Sequence, residues 1–167
     1  LSFSVKYYGL QAKLHWGGRT SAMHEVKDTR RARVRIGYDG RVHKYYLGPE
    51  ADKRYANEVS MLKHLEAKGC PFVPRLLEEH PEQLYIVTSN CGNIAEQISS
   101  RKMASLYEEL EQYGIKHGDA FPRNITYDAR NGRFCIIDFE FATNLETGEG
   151  LVLEDIKRAY DTKLFEE

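Results

Sequence analysis

The stretch from 115 to 141, IKHGDAFPRNITYDARNGRFCIIDFEF, limits the possible folds of this chain more than any other. Two β-rich runs, NITYD and RFCIIDF, flank ARNG, a turn signature that makes them the arms of an antiparallel hairpin. A hairpin brings the start of its first arm beside the end of its second. Asp119 and Asn124, in the loop before the first arm, are therefore expected next to Asp138 at the end of the second. Groups this polar are costly to crowd together without a partner. Two aspartates and an asparagine present oxygen ligands only, the set that suits magnesium, an ion that keeps several waters and is usually shared with substrate phosphates. Singly, Asp119 reads as a turn cap, Asn124 as a strand start and Asp138 as an exposed strand end; jointly they read as a site awaiting a cation.

A chain of 167 residues can bury a real core as one unit, or as two small lobes around a cleft. Its 24 basic and 25 acidic side chains nearly cancel, and no Lys/Arg block stands apart, so no nucleic-acid partner is expected. No apolar run approaches the roughly 18 residues that would cross a bilayer. The first residues, LSFSVKYYGLQAKLHW, lack the features of a signal peptide, and a cytoplasmic protein is expected. Cys70, Cys91 and Cys135 form no CxxC pair and the histidines no HExxH spacing, which points away from disulfides and from zinc.

Along the chain, the first 35 residues show no clean period and are read as short strands. ARVRIGY and RVHKYYL alternate on either side of DG and predict a second antiparallel hairpin. PEADKRYANEVSMLKHLEAKG predicts a helix stopped at Gly69. On it Glu58 shares a face with Leu62 and Leu65, so the carboxylate needs a cationic partner. CPFVPRLLEEHPEQ reads as a loop, LYIVT as a buried strand, SNCGN as its exit turn and a lobe boundary. A second helix is predicted over 102–113, with Met103, Leu106, Tyr107, Leu110 and Tyr113 on one stripe, and a last one in LVLEDIKRAYDTKLFEE.

The order of these pieces resembles the protein-kinase-like superfamily from Ala32 onward. HGDAFPRN is similar to that family's catalytic loop, His-x-Asp with Asn five positions after the Asp, and IIDFE to its metal-binding Asp-Phe-Gly strand end. VHK resembles the Val-Ala-Ile-Lys strand, NEVSMLKHL the helix whose Glu pairs with that Lys, and LYIVTSNCG the strand and hinge against which adenine docks. The resemblance implies an α+β, minimal kinase-like bilobal fold: an antiparallel β-sheet N-lobe with one helix (1–88), a hinge (89–92) and a truncated, mainly helical C-lobe (93–167). It implies that Lys44 pairs with Glu58 and holds the α and β phosphates of ATP, that Asp119 orients or deprotonates an attacking hydroxyl, and that Asn124 and Asp138 hold Mg2+. His117 would support the loop. Thr88 would stand at the gatekeeper position, with the Ser89 carbonyl and the Cys91 amide offered to adenine; Arg123 is the nearest cation for a γ-phosphate. For Asp155 the family implies bonds to the catalytic-loop amides, and its own context a helix N-terminal Asp.

The departures are as informative. Gly118 stands where regulated protein kinases carry an Arg, and only FATNLETGEG separates the metal strand from the last predicted helix, so the phosphorylated activation segment is missing together with its partner. Glu140 replaces the Gly of Asp-Phe-Gly, and Phe121 occupies a position often held by Lys. His-Gly-Asp with Asp-Phe-Glu resembles aminoglycoside and choline phosphotransferases, lipopolysaccharide core kinases and minimal kinases of tRNA-modification complexes. The phosphate-covering segment is either HWGGRTS, with two glycines, or KDTRRAR, through Arg30 or Arg31. The expected activity is transfer of the γ-phosphate of Mg-ATP to a hydroxyl of protein Ser/Thr or of a small molecule, with hydrolysis as a further outcome. The alternative is a pseudokinase or nucleotide-binding scaffold that transfers nothing to its partner.

Overall fold

A computed structural model describes residues 24–153. HWGGRTS and the C-terminal segment containing Asp155 lie outside the described residues.

Five strands form an antiparallel sheet in the order β1-β2-β3-β5-β4: β1 His24–Asp28, β2 Ala32–Ile36, β3 Val42–Tyr46, β4 Leu76–His80 and β5 Tyr85–Thr88. The DG signature forms the expected hairpin, with Ile36 paired to Val42. Its loop is longer than two residues: Gly37 N–H donates to Arg41 C=O at 2.9 Å, and Gly40 takes a φ of 75° that a side chain would resist. KDTRRAR supplies the turn between β1 and β2, through Thr29, Arg30 and Arg31.

Helix α1 spans Ala51–Ala67 and ends at Gly69, φ 70°. Its buried face carries Tyr55, Val59, Met61, Leu62 and Leu65, and with them two charged groups, Arg54 and Glu58. Helix α2 spans Ser100–Gln112; it begins two residues earlier than its apolar stripe predicts because Ser99 Oγ accepts from Lys102 N–H at 3.2 Å and caps it. Leu106 and Leu110 are buried, with Met103, Tyr107 and Tyr113 packed beside them.

The remaining strands are β6 Asn93–Ile94, β7 Ile115–His117, β8 Ile125–Asp128, β9 Arg133–Ile136 and β10 Ala142–Asn144. β6, β8 and β9 make one small sheet and β7 pairs with β10 in another. Among the described residues the second half of the chain thus carries one α-helix on two small sheets, in a mixed α+β fold. The ARNG hairpin forms as expected, with Ile125 opposite Ile136. Four strands escape the sequence reading. β4 is a charged edge strand, LLEEH, whose three central residues are all exposed, so it lacks the alternating pattern. β6, β7 and β10 are two or three residues long, too short to show any period.

One apolar cluster runs through both halves, from Tyr46, Tyr55 and Leu62 to Leu106, Ile125, Ile136 and Phe139. Backbone and side-chain bonds tie the seam. Ile136 N–H donates to Phe72 C=O at 2.9 Å, and Asn57 Nδ2 reaches the carbonyls of Glu140 and Ala142 at 3.0 and 2.9 Å.

Candidate active site

Alternation along β3 turns Lys44 and Tyr46 toward α1. Lys44 Nζ lies 2.6 Å from Glu58 Oε2, 2.8 Å from Asp138 Oδ1 and 2.8 Å from Glu140 Oε1. The Lys44–Glu58 contact joins the sheet to α1; the other two join both to the strand end after β9. Glu58 is also held by the Tyr46 hydroxyl at 2.5 Å and by Phe139 N–H at 3.3 Å. Burial works to lower the Lys44 pKa, but Asp138, Glu140 and Glu58 together outweigh it and hold the ammonium well above its ordinary value. Burial pushes the Glu58 carboxyl up, against the pull of Lys44. Burial and the Glu58 charge raise Tyr46 well above an ordinary phenol, so its hydroxyl stays a donor.

The β8–β9 hairpin delivers the other groups. Asn124 ends a short 3-10 turn, Pro122–Asn124, and its C=O accepts from Ile137 N–H at 2.9 Å, which sets it beside Asp138. Asn124 Nδ2 donates to Asp119 Oδ2 at 2.9 Å and to Asp119 C=O at 2.8 Å, leaving the amide oxygen as its second polar atom. Arg123 donates to Asp119 Oδ1 at 2.5 Å, with its guanidinium over the Phe121 ring. Asp119 is thus gripped on both carboxylate oxygens.

His117 sits under this loop as a neutral ring. Its Nδ1 accepts from Asp119 N–H at 3.2 Å, which leaves Nε2–H to donate to Ile137 C=O at 3.0 Å. Burial lowers its pKa and keeps it uncharged. The ring therefore ties the Asp119 backbone to the residue before Asp138. Gly118 is required by closeness: a Cβ there would lie 2.0 Å from Phe141 C=O. An Arg at this position has no room without movement of β10.

Asp138 takes a left-handed backbone, φ 68°, a conformation Asp tolerates better than most residues. Phe139 enters the core while Asp138 and Glu140, on either side of it, both turn to Lys44. Glu140 is the site residue that sequence reasoning assigned no contact. Its other oxygen, Oε2, accepts from Arg54 Nη1 at 2.8 Å. Arg54, 0% exposed, also bonds the carbonyls of Arg31 and Pro49 at 3.1 and 3.3 Å, and that of Leu47. A signal for Arg54 was present: it precedes Glu58 by one helical turn and so shares its buried face.

At the expected hinge, Thr88 ends β5 in a buried position. Ser89 N–H donates to Arg75 C=O and Ser89 Oγ accepts from Arg75 N–H, each at 2.9 Å. Among the described residues, no hydrogen bond engages the Ser89 carbonyl or the Cys91 amide. Cys91 itself is buried.

A lysine is thus held between a helix glutamate and a strand-end aspartate, beside a His-x-Asp loop, as the resemblance implies. In line with it, residues 88–145 match the model of the phosphotransferase enzyme family, from Thr88 through β10, including Asp119, Asn124, Asp138 and Glu140. Over that stretch the resemblance to the protein-kinase-like superfamily holds, and phosphoryl transfer is the general class of chemistry it points to. No curated protein gives a significant match to the chain. Among the described residues, no helix is long and apolar enough to cross a membrane.

Proposed function

We propose that this chain transfers the γ-phosphate of Mg-ATP to a hydroxyl, on a protein Ser/Thr or on a small molecule. The observation that carries the reading is the bridge made by Lys44 Nζ between Glu58 and Asp138, at 2.6 and 2.8 Å. The bridge sets one ammonium at the junction of sheet, helix and metal strand end, where phosphates and their metal would meet.

The residues fit a magnesium ion. Asn124 and Asp138 offer oxygens only. Formally, Lys44 and Arg54 carry two positive charges against three negative ones on Glu58, Asp138 and Glu140. Asp138, with a side chain 22% exposed, is the least buried of the three acids and the natural bearer of the excess. When bound, the ion neutralises phosphate charge.

In this reading Lys44 binds the α and β phosphates, and the Ser89 carbonyl and Cys91 amide hold adenine below Thr88. Arg123, whose side chain is 60% exposed, leaves Asp119 for the γ-phosphate. That frees Asp119 Oδ1 for the acceptor hydroxyl, while Asn124 keeps the other oxygen in place. The acceptor oxygen–phosphorus bond forms as the bond from the γ-phosphorus to the β–γ bridging oxygen breaks. ADP departs, and the hydroxyl proton passes to Asp119.

The test is transfer from labelled ATP to protein and small-molecule acceptors, to the chain itself and to water, beside Asp119→Asn. The variant should bind ATP within a few fold of wild type and transfer at least about a hundredfold more slowly. If both bind ATP alike and neither transfers phosphate to anything, the chain is a nucleotide-binding module instead.

A further inference from the structure

The geometry points to Glu140 as a positioning residue for this reaction: it keeps the Lys44 ammonium in place when Asp138 turns from Lys44 to the metal. The inference rests on the phosphotransferase reading and adds a residue to it. Its basis is the sharing of one ammonium by three carboxylates. Asp138 Oδ1 lies 2.8 Å from Lys44 Nζ, yet the same carboxylate is the one expected to bind magnesium. An ammonium is a compact charge with three donors, so as Asp138 lets go, another acceptor must hold it or the stem swings. Glu58 supplies one such acceptor, itself shared with the Tyr46 hydroxyl and Phe139 N–H. Glu140 Oε1 supplies the second at 2.8 Å.

Glu140 can do this because it is itself fixed. Arg54 holds its other oxygen at 2.8 Å and is in turn anchored by three backbone carbonyls. Asn57 pins the neighbouring backbone by donating to Glu140 C=O at 3.0 Å. A glycine here could supply none of these contacts. Without the Glu140 carboxylate, Lys44 has only Glu58 and Asp138 as charged partners within the protein and grips Asp138 in competition with the metal. The expected consequence is a higher magnesium requirement for nucleotide binding.

The test measures the thermal shift given by ATP as magnesium is titrated, for wild type, Glu140→Gln, and the charge-balanced Arg54→Met/Glu140→Gln pair, which guards against a single variant that does not fold. Both variants should need about 10- to 100-fold more magnesium for the half-maximal ATP-induced shift, the range typical of residues that orient a metal ligand. A purely structural role would lower the starting melting temperature and leave the magnesium midpoint unchanged. A midpoint within about twofold of wild type in the folded variant overturns the inference and leaves the phosphotransferase reading standing. A wild type whose ATP shift ignores magnesium overturns the metal-dependent reading, and this inference with it.

Discussion

Arg54 offers the sharpest test of how the site is built, because its consequences follow from contacts alone and need no nucleotide. The change is Arg54→Met, which keeps the apolar stem and removes the guanidinium. That group is fully buried and serves four acceptors: Glu140 Oε2 and the carbonyls of Arg31, Leu47 and Pro49. Two of the losses are softened. Glu140 keeps Lys44 at 2.8 Å, and Arg31 C=O keeps Leu47 N–H at 2.8 Å. Breaking a buried ion pair costs about 3–5 kcal/mol, and the retained Lys44 contact places this one near 3. The carbonyls of Leu47 and Pro49 each add about 1 kcal/mol when their donor goes, and the packing of Met returns part of that. The net expectation is a loss of about 3–5 kcal/mol, a large share of the 5–15 typical of a domain. For a chain of this size it corresponds to a fall of about 6–20 °C in Tm. Urea unfolding should show a lower midpoint with an unchanged slope. The double variant Arg54→Met/Glu140→Gln should lose less than the sum of the two single ones, because each single change strands the other partner. A loss under about 1 kcal/mol, or strict additivity, would refute the buried pair.

Two further perturbations address Lys44 and His117. Lys44→Met should cost at least about 3 kcal/mol, because Glu58, Asp138 and Glu140 then converge with no ammonium between them; adding Glu58→Gln should restore part of that stability without restoring transfer, and additive single and double variants would show that the two do not interact. His117, whose pKa is lowered by burial, contributes stability present in full above its ordinary value of about 6.5 and lost as pH falls through the lower folded value. Melting curves from about pH 8 to 5 should therefore bend downward below about 6.5 in wild type and less so in His117→Gln, which can keep a donor to Ile137 C=O; parallel curves would mean that the ring is not held neutral.

What the sequence disclosed and what it hid divide along a physical line. Local signals were enough for both hairpins, for α1 and for α2 apart from its Ser99-capped first turn, because apolar period and the turn glycines act within a few residues of one another. Lys44 and Glu58 were legible as a pair only through resemblance, since α1 shows just that Glu58 needs a cationic partner and β3 by itself reads Lys44 as an ordinary strand lysine. Glu140 was hidden for a different reason. Its partner Arg54 lies 86 positions earlier, and a lone Glu after Phe139 carries no local mark of burial. A pattern did exist on each side separately. Arg54 and Glu58 sit one turn apart on the buried face of α1, and Asp138 and Glu140 flank a core phenylalanine. Two cations and three acids that share one buried place must be read together, because none is affordable there alone. The proposed function adds a metal ion to this cluster, at Asp138. Glu140 thus changes how the site is held: its carboxylate fastens the strand end after β9 to β3 through Lys44 and to α1 through Arg54.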